Sequence, residues 1–196
     1  MYYSGINKFD IANGPGIRVS LFVSGCNLKC PGCFNPEAHS FINGKEYTKE
    51  TQDKIISMIN KPYIRGLSIL GGDPMCQKYE DIENFLIPLA EKVHELNKDV
   101  WLWTGFTWEE LMEGINSIIH TKPHTVKKIL EKFQWQSRNN LIMNSNVIVE
   151  GRFEEDKKDI TLPYCGSTNQ RVIDINSTKK HYYEDKIIDL FWENKV

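Results

Sequence analysis

Segments rich in β-forming residues alternate along this chain with amphipathic helical segments. The segments predicted as strands are 18–24, 66–70, 100–104, 146–150 and 171–175. The segments predicted as helices are 49–60, 82–96, the stretch from Thr107, 126–133 and a terminal helix carrying Ile187, Ile188 and Phe191. Alternation of this kind indicates parallel strands joined by helical crossovers, and therefore an α/β fold.

Three of the predicted strands end in loops of unusual composition. Three cysteines at 26–33 follow the first strand, GGDP at 71–74 follows the second, and TG at 104–105 follows the third. Loops at the carboxyl ends of parallel strands carry function in such folds, so we expect these loops to converge on one site. Trp101 and Trp103 point to the same side of their strand, which favours a core role for both.

Cys26, Cys30 and Cys33 are spaced four and then three residues apart, and they are three of only five cysteines. Clustering of this kind favours metal binding over disulfides in a reducing compartment. Thiolates suit zinc and iron–sulfur clusters, and three of them cannot close a tetrahedral structural site. A [4Fe–4S] cluster on three cysteines keeps one iron open. A zinc site would need a fourth ligand, for which the candidates are His39, Cys76 and Cys165; otherwise Cys76 and Cys165 are predicted to be buried free thiols.

The composition limits the functional class. A chain of 196 residues, 40% of them hydrophobic, is predicted to form a single domain over 1–196. Its net charge of −2 argues against general nucleic-acid or membrane-surface binding. The sequence has no signal peptide and no apolar run near the roughly 20 residues that a membrane helix needs. We therefore expect a cytoplasmic protein without a membrane or nucleic-acid partner.

The cysteine spacing and three other segments resemble the signature of radical S-adenosylmethionine (SAM) enzymes. NGPGIR at 13–18 is similar to the turn ahead of the cluster in glycyl-radical-enzyme activases. GGDP at 71–74 is similar to their GGEP run, with aspartate for glutamate, and WTG at 103–105 is similar to a WTG or YTG that faces SAM. The resemblance implies a [4Fe–4S] cluster on the three cysteines, with the amino and carboxylate groups of SAM chelating the fourth iron.

Two segments near the end of the chain narrow the resemblance. VEGRFEE at 149–155 and GSTNQRVID at 166–174 look like the VDGxFxEE and GSxNQRxID segments of anaerobic ribonucleoside-triphosphate reductase activases. This pair selects that family among radical SAM enzymes. The resemblance is weakest over about 113–143, where the chain is predicted to carry a helical insertion.

The resemblance also implies which residues bind SAM. Those residues are Gly32, Cys33, Phe34, Gly71, Gly72, Asp73 and Thr104. Glycine carbonyls of the GGDP run would accept from the SAM ammonium, and Asp73 would add a charge-assisted contact. Gly32 stands where many radical SAM enzymes have an aromatic residue, so the adenine is expected on the backbone of 32–34 and near Phe34. Thr104 would reach the ribose.

The implied enzyme generates a 5′-deoxyadenosyl radical and installs a glycyl radical on the anaerobic reductase, with an electron donor such as flavodoxin. A complete β/α barrel needs about 250 residues, so the implied fold is an incomplete, splayed barrel with mostly parallel strands, open to a loop of the protein substrate. Two alternatives stay open. One is an activase of another glycyl radical enzyme such as pyruvate formate-lyase, and the other is a non-catalytic zinc-binding interaction module.

Overall fold

The computed structural model describes residues 1–119 and 125–180, and within them seven strands form one sheet. The strands are β1 (Tyr2–Asp10), β2 (Ile17–Val23), β3 (Lys45–Glu46), β4 (Ile64–Gly71), β5 (Asp99–Trp103), β6 (Val147–Glu150) and β7 (Arg171–Asp174). Their order across the sheet is β3-β1-β2-β4-β5-β6-β7. The four central strands β2, β4, β5 and β6 are mutually parallel, and the flanking strands pair antiparallel.

Helices fill the connections between the parallel strands, as the alternating pattern predicts. They are α1 (Lys49–Ile59), α2 (Tyr79–Asp81), which runs through a π-helical segment (Ile82–Leu86) into α3 (Ile87–Glu95), then α4 (Trp108–Ile119), α5 (Val126–Met143) and α6 (Ile175–Lys180). The side chains of Thr48 and Thr125 cap α1 and α5 by accepting a backbone N–H, a preferred way to begin a helix. The mixed α/β class is therefore confirmed. The predicted terminal helix lies outside the described residues.

The main core lies between the helices and one face of the sheet. Alternate residues of the central strands point into it, for example Val19 and Leu21 on β2 and Leu67 and Ile69 on β4, all of them buried. Each such side chain contributes about 1.5–3 kcal/mol by leaving water. Because α1, α3, α4 and α5 all contribute to this same core, these helices cover one face of the sheet.

The opposite face carries a smaller apolar cluster. Trp101, Val147, Val149 and Val172 are buried there, and Trp103 packs against them. The Trp103 indole Nε1–H donates to the Tyr164 carbonyl at 3.1 Å. The core role predicted for both tryptophans is confirmed.

The NGPGIR segment at 13–18 lies at the end of β2 opposite to the cysteines. Arg18 is fully buried on β2, 2.6 Å from the Asp99 carboxylate, and its guanidinium also donates to the Ser68 hydroxyl and the Leu67 carbonyl. Three neighbouring strands are thereby joined at their amino-terminal edge.

Three strands of the sheet differ from the sequence pattern. Strand β1 was not predicted, because all but one of its residues are partly buried or exposed and register shifts in its pairing with β2 break a two-residue alternation. Strand β3 was not predicted either, because it consists of two exposed charged residues. Strand β7 pairs antiparallel with β6, since the connection between them contains no crossover helix and an antiparallel neighbour needs none. Among the described residues, no helix is both long and apolar enough to cross a bilayer.

Candidate metal centre

The cysteine loop and the GGDP run meet backbone to backbone just beyond the carboxyl ends of β2 and β4. The Gly72 N–H donates to the Val23 carbonyl at 2.7 Å, and the Asp73 N–H donates to the Gly25 carbonyl at 2.9 Å. These bonds continue the parallel ladder past the last paired residues, Val23 and Gly71. The predicted convergence of these loops is therefore found in the structure.

Glycine permits this approach at two positions. A Cβ on Gly72 would lie 2.5 Å from the Gly25 carbonyl oxygen. Gly25 has φ +107°, and a Cβ there would lie 2.1 Å from the Phe41 ring. A side chain at Gly72 would push the two loops apart, and a side chain at Gly25 would displace Phe41 and strain the left-handed backbone.

Cys26, Cys30 and Cys33 are free, half-exposed thiols on this loop. The Cys33 N–H donates to the Cys30 carbonyl at 3.1 Å, which closes a turn between them. Burial raises the pKa of Cys30, and neighbouring Cys26 and Cys33 raise it further, against a backbone hydrogen bond from Phe153. In the described part of the chain, the three donors that lie within 4.8 Å of one another are Cys26, Asp73 and Cys76, and the three loop cysteines do not form such a group. Cys26, Cys30 and Cys33 are nevertheless three soft donors on one short loop. The donor set therefore fits a soft metal or an iron–sulfur cluster.

A fourth cysteine, Cys76, lies beside Cys26. One ligand atom each from Cys26, Cys76 and Asp73 lie within 4.8 Å of one another. A hydrogen bond from Cys76 lowers the pKa of Cys26 to about 7, and the same contact together with burial raises the pKa of Cys76. Of the three residues considered as a fourth zinc ligand, Cys76 is thus the one whose sulfur lies next to Cys26. Cys165 instead packs with the tryptophan cluster, and His39 offers Cys26 a backbone carbonyl.

The Asp73 carboxylate joins the GGDP run to the loop after β5. It is buried, and it accepts hydrogen bonds from the Thr104 hydroxyl at 3.0 Å, the Gly105 N–H at 2.9 Å and the Met75 N–H at 2.8 Å. Burial raises the pKa of Asp73 to about 6, although these donors oppose the rise. The hydroxyl of Thr104 therefore contacts Asp73, a partnership that the sequence did not predict.

The Gln77 side chain links the two loops by hydrogen bonds, a role that the sequence did not predict. Its buried Nε2 group donates to the carbonyls of Ser24 at 3.1 Å, Gly25 at 3.3 Å and Asp73 at 3.1 Å. A single glutamine after a glycine-rich run carries no sequence signal of this role, because its partners include main-chain atoms some 50 residues away.

Arg138 of α5 supports the same turn from the helical side. Its Nε–H donates to the Met75 carbonyl at 2.8 Å, and its guanidinium lies 4.3 Å from the Trp135 ring centroid and 4.9 Å from that of Phe106. The segment predicted as a helical insertion, 113–143, therefore includes a helix that contacts the GGDP turn. No local pattern in the sequence points to this contact.

The two segments near the end of the chain contact the cysteine loop. The Asn169 side chain donates to the Arg152 carbonyl and the Gln170 side chain to the Gly151 carbonyl, both at 2.8 Å. These bonds hold the 149–155 segment in place, and in that segment the Glu155 side chain lies against Gly32 of the cysteine loop. The GSTNQRVID segment thus anchors its neighbour segment to the sheet.

Gly32 and Phe34 lie on the exposed side of the loop. Phe34 is 94% exposed, and a Cβ built on Gly32 would lie 2.5 Å from a Glu155 carboxylate oxygen. Their predicted role at the adenine stays a prediction.

Known proteins with similar sequences support the interpretation of this site as a metal centre. Residues 12–173 match the family model of the 4Fe-4S single cluster domain, so fold and thiols together define an iron–sulfur protein. Anaerobic ribonucleoside-triphosphate reductase-activating proteins are similar over most of their length: that of Salmonella typhi is 37% identical over 177 residues, covering 88% of this chain and 97% of the relative. The protein of Escherichia coli K12 is 35% identical with the same coverage, and that of Enterobacteria phage T4 is 38% identical over 152 residues, covering 74% and 95%. The chain belongs to the family of anaerobic ribonucleoside-triphosphate reductase-activating proteins.

Proposed function

We propose that this protein is a radical SAM activase that installs a glycyl radical on an anaerobic ribonucleoside-triphosphate reductase. The observation that carries the proposal is the meeting of the three-cysteine loop with the GGDP run at the carboxyl ends of β2 and β4. The first loop supplies three soft ligands, and the second supplies backbone groups next to them. The family and the names of the relatives support the same partner.

In this proposal Cys26, Cys30 and Cys33 ligate three irons of a [4Fe–4S] cluster, and SAM completes the fourth. The bound cluster and SAM supply, after a one-electron reduction, a 5′-deoxyadenosyl radical that removes a hydrogen atom from a glycine of the reductase. The backbone that carries these thiols is held by hydrogen bonds from the Cys26 N–H to the His39 carbonyl and from the Cys33 N–H to the Cys30 carbonyl.

The remaining predicted residues position SAM beside the cysteines. Gly71 and Gly72 offer backbone close to the cysteine loop, and the backbone of Gly32 and the ring of Phe34 offer a site for adenine. Asp73 and Thr104 bond each other, so their main contribution is to fix the loops that surround SAM. Fixed loops hold the reacting atoms in a productive geometry, so that the loops need not rearrange during the reaction.

The strand arrangement supports an incomplete, splayed barrel in a single domain. Strands β2, β4, β5 and β6 are neighbours in the same order as in the sequence, and their helices cover one face. A closed barrel extends this same pattern to eight strands. The uncovered edge would admit a loop of the reductase, and an electron donor such as flavodoxin would reduce the cluster. The free thiols fit a cytoplasmic location.

The test begins with anaerobic reconstitution with iron and sulfide. We expect a brown protein whose cluster is lost in Cys26→Ala, Cys30→Ala and Cys33→Ala and kept in the matched control Cys165→Ala. With dithionite and SAM, the wild-type protein should release 5′-deoxyadenosine and methionine. With the anaerobic reductase added, it should give a glycyl-radical doublet by electron paramagnetic resonance.

Each stage has an outcome that would overturn part of the proposal. A colourless protein that binds zinc through the three cysteines would replace it with the zinc-binding module. Formation of the cluster without cleavage of SAM would refute the proposed radical reaction. A radical formed on pyruvate formate-lyase and not on the reductase would change the partner.

A further inference from the structure

The turn after the GGDP run fixes the position of Cys76. Residues Pro74–Cys76 form a single 3-10 turn, which begins where the Asp73 side chain accepts the Met75 N–H. The Cys76 N–H donates to the Asp73 carbonyl at 3.0 Å, and the Cys76 side chain is buried. The Cys76 sulfur is therefore held in place by the same turn that carries the GGDP run.

Two contacts join this sulfur to the cysteine loop. The Asn27 N–H donates to the Cys76 sulfur at 3.5 Å, and the Cys76 and Cys26 sulfurs lie within 4.8 Å of each other. The Asp73 carboxylate is also close, but three other donors already occupy it. The Cys26 sulfur is thus an acceptor within reach of the Cys76 S–H.

We propose that Cys76 donates its S–H to the Cys26 sulfur in the loaded protein and so raises the reduction potential of the cluster. This inference rests on the proposed function, in which Cys26 is a cluster ligand. A metal-bound cysteine is a thiolate and has no hydrogen, so Cys76 must be the donor of the pair. Cys76 is a positioning and tuning residue, because it acts on the cluster through Cys26.

The sign of the effect follows from charge. Reduction adds one electron to the cluster, and part of that negative charge lies on the ligand sulfurs. A hydrogen bond to a ligand sulfur stabilises the reduced form more than the oxidised form, and hydrogen bonds to the sulfurs are a known control on cluster potential. A higher potential eases delivery of the electron by the donor protein.

The competing interpretation makes Cys76 a ligand. Two thiolates on one tetrahedral zinc lie about 3.8 Å apart, a value that follows from a Zn–S distance of about 2.3 Å. The Cys26 and Cys76 sulfurs are close enough for that geometry, but the third nearby group, Asp73, has its carboxylate committed to protein donors. Hydrogen bonding satisfies Cys76 without a metal, so we favour it.

The experiment compares Cys76→Ala, Cys76→Ser and the matched control Cys165→Ala after anaerobic reconstitution. Iron and sulfide content, visible absorption and a mediated redox titration are measured for each. We expect all variants to hold a full cluster. At the wild-type midpoint, Cys76→Ala should show a reduced-to-oxidised ratio about threefold lower, which equals about 30 mV at 59 mV per tenfold for one electron.

The serine variant separates hydrogen bonding from packing. Its O–H can still donate, so its midpoint should stay nearer to that of the wild type than the alanine variant does. If Cys76→Ala does not fold, Cys76→Val takes its place as the variant without a donor.

Three results would overturn the inference: an unchanged midpoint in Cys76→Ala, equal shifts in the alanine and serine variants, or loss of iron in Cys76→Ala, which would make Cys76 a ligand. A wild-type protein that forms no cluster would instead refute the proposed function.

Discussion

Gln77 offers the sharpest test of how the site is assembled. Replacing it with Met keeps the length of the side chain but removes both hydrogens of Nε2, which three carbonyls share. In this variant the Gly25 carbonyl still accepts a hydrogen bond from the Asp73 N–H, and the Asp73 carbonyl still accepts one from the Cys76 N–H. The loss therefore falls mainly on the Ser24 carbonyl.

The expected loss of unfolding free energy follows from the one carbonyl, that of Ser24, left without a donor. A buried carbonyl left without its donor costs about 1–3 kcal/mol, so we expect Gln77→Met to lower the free energy of unfolding by about 2 kcal/mol. For a chain of this length, about 2 kcal/mol corresponds to a fall in melting temperature of about 4–8 °C. Gln77→Ala should cost more, because it also leaves a cavity.

Urea denaturation of the cluster-free protein, followed by circular dichroism, measures this change. Gln136→Ala is the matched control, since Gln136 is exposed on α5 and should change stability by less than about 0.5 kcal/mol. The same variants are then reconstituted, and Gln77→Met should retain less iron than the control. Equal unfolding free energies for Gln77→Met and the wild type would refute the idea that this side chain clamps the loops.

Three further predictions concern other parts of the sheet and site. Arg18→Met should lower the free energy of unfolding by about 2 kcal/mol in urea titrations, because Asp99 keeps only its exposed partner Arg65 and the Ser68 hydroxyl and Leu67 carbonyl lose a donor; an effect below about 1 kcal/mol would contradict this. Hydrogen bonds outweigh burial and hold the folded pKa of Asp10 below its usual 3.8. As pH falls, the unfolded chain therefore takes up the Asp10 proton before the folded protein does. Asp10→Asn should lower the free energy of unfolding by about 1–2 kcal/mol at pH 7, and this difference from the wild type should shrink as pH falls through the folded pKa. A difference that stays constant with pH would contradict the prediction. Gly72→Ala should reduce iron uptake after reconstitution, whereas Gly5→Ala, with nothing within 4 Å of its Cβ, should not; equal uptake would show that the loops can separate freely.

The sequence predicted where the site lies because the relevant signals are local. Runs of β-forming residues end in cysteines, glycines or Thr-Gly, and parallel strands bring such ends to one edge. The contacts from Gly72 to Val23 and from Thr104 to Asp73 are direct results of that rule.

The supporting side chains could not be predicted, because their partners are distant in sequence. Gln77 and Arg138 bond main-chain carbonyls, which any residue possesses, so no pattern of residue types marks the contact. Cys76 resembled an ordinary buried thiol until the fold placed it beside Cys26. Strand β1 escaped prediction because nearly all of its residues are partly buried or exposed, so the strand lacks an alternating apolar pattern.

The main-chain contact between the cysteine loop and the GGDP run determines which substitutions the site tolerates. The cysteine loop takes part in it mainly through backbone groups: Asn27, for example, bonds Cys76 through its backbone N–H, and the Gln77 side chain bonds the carbonyls of Ser24 and Gly25. Exposed positions such as Asn27 and Pro31 can therefore change their chemical character while the loop keeps its shape. A single methyl group at Gly25 or Gly72 has no room. The exposed positions of the cysteine loop are thus tolerant of altered polarity, whereas Gly25 and Gly72 are intolerant of added volume, and a substitution scan of these positions should divide along that line.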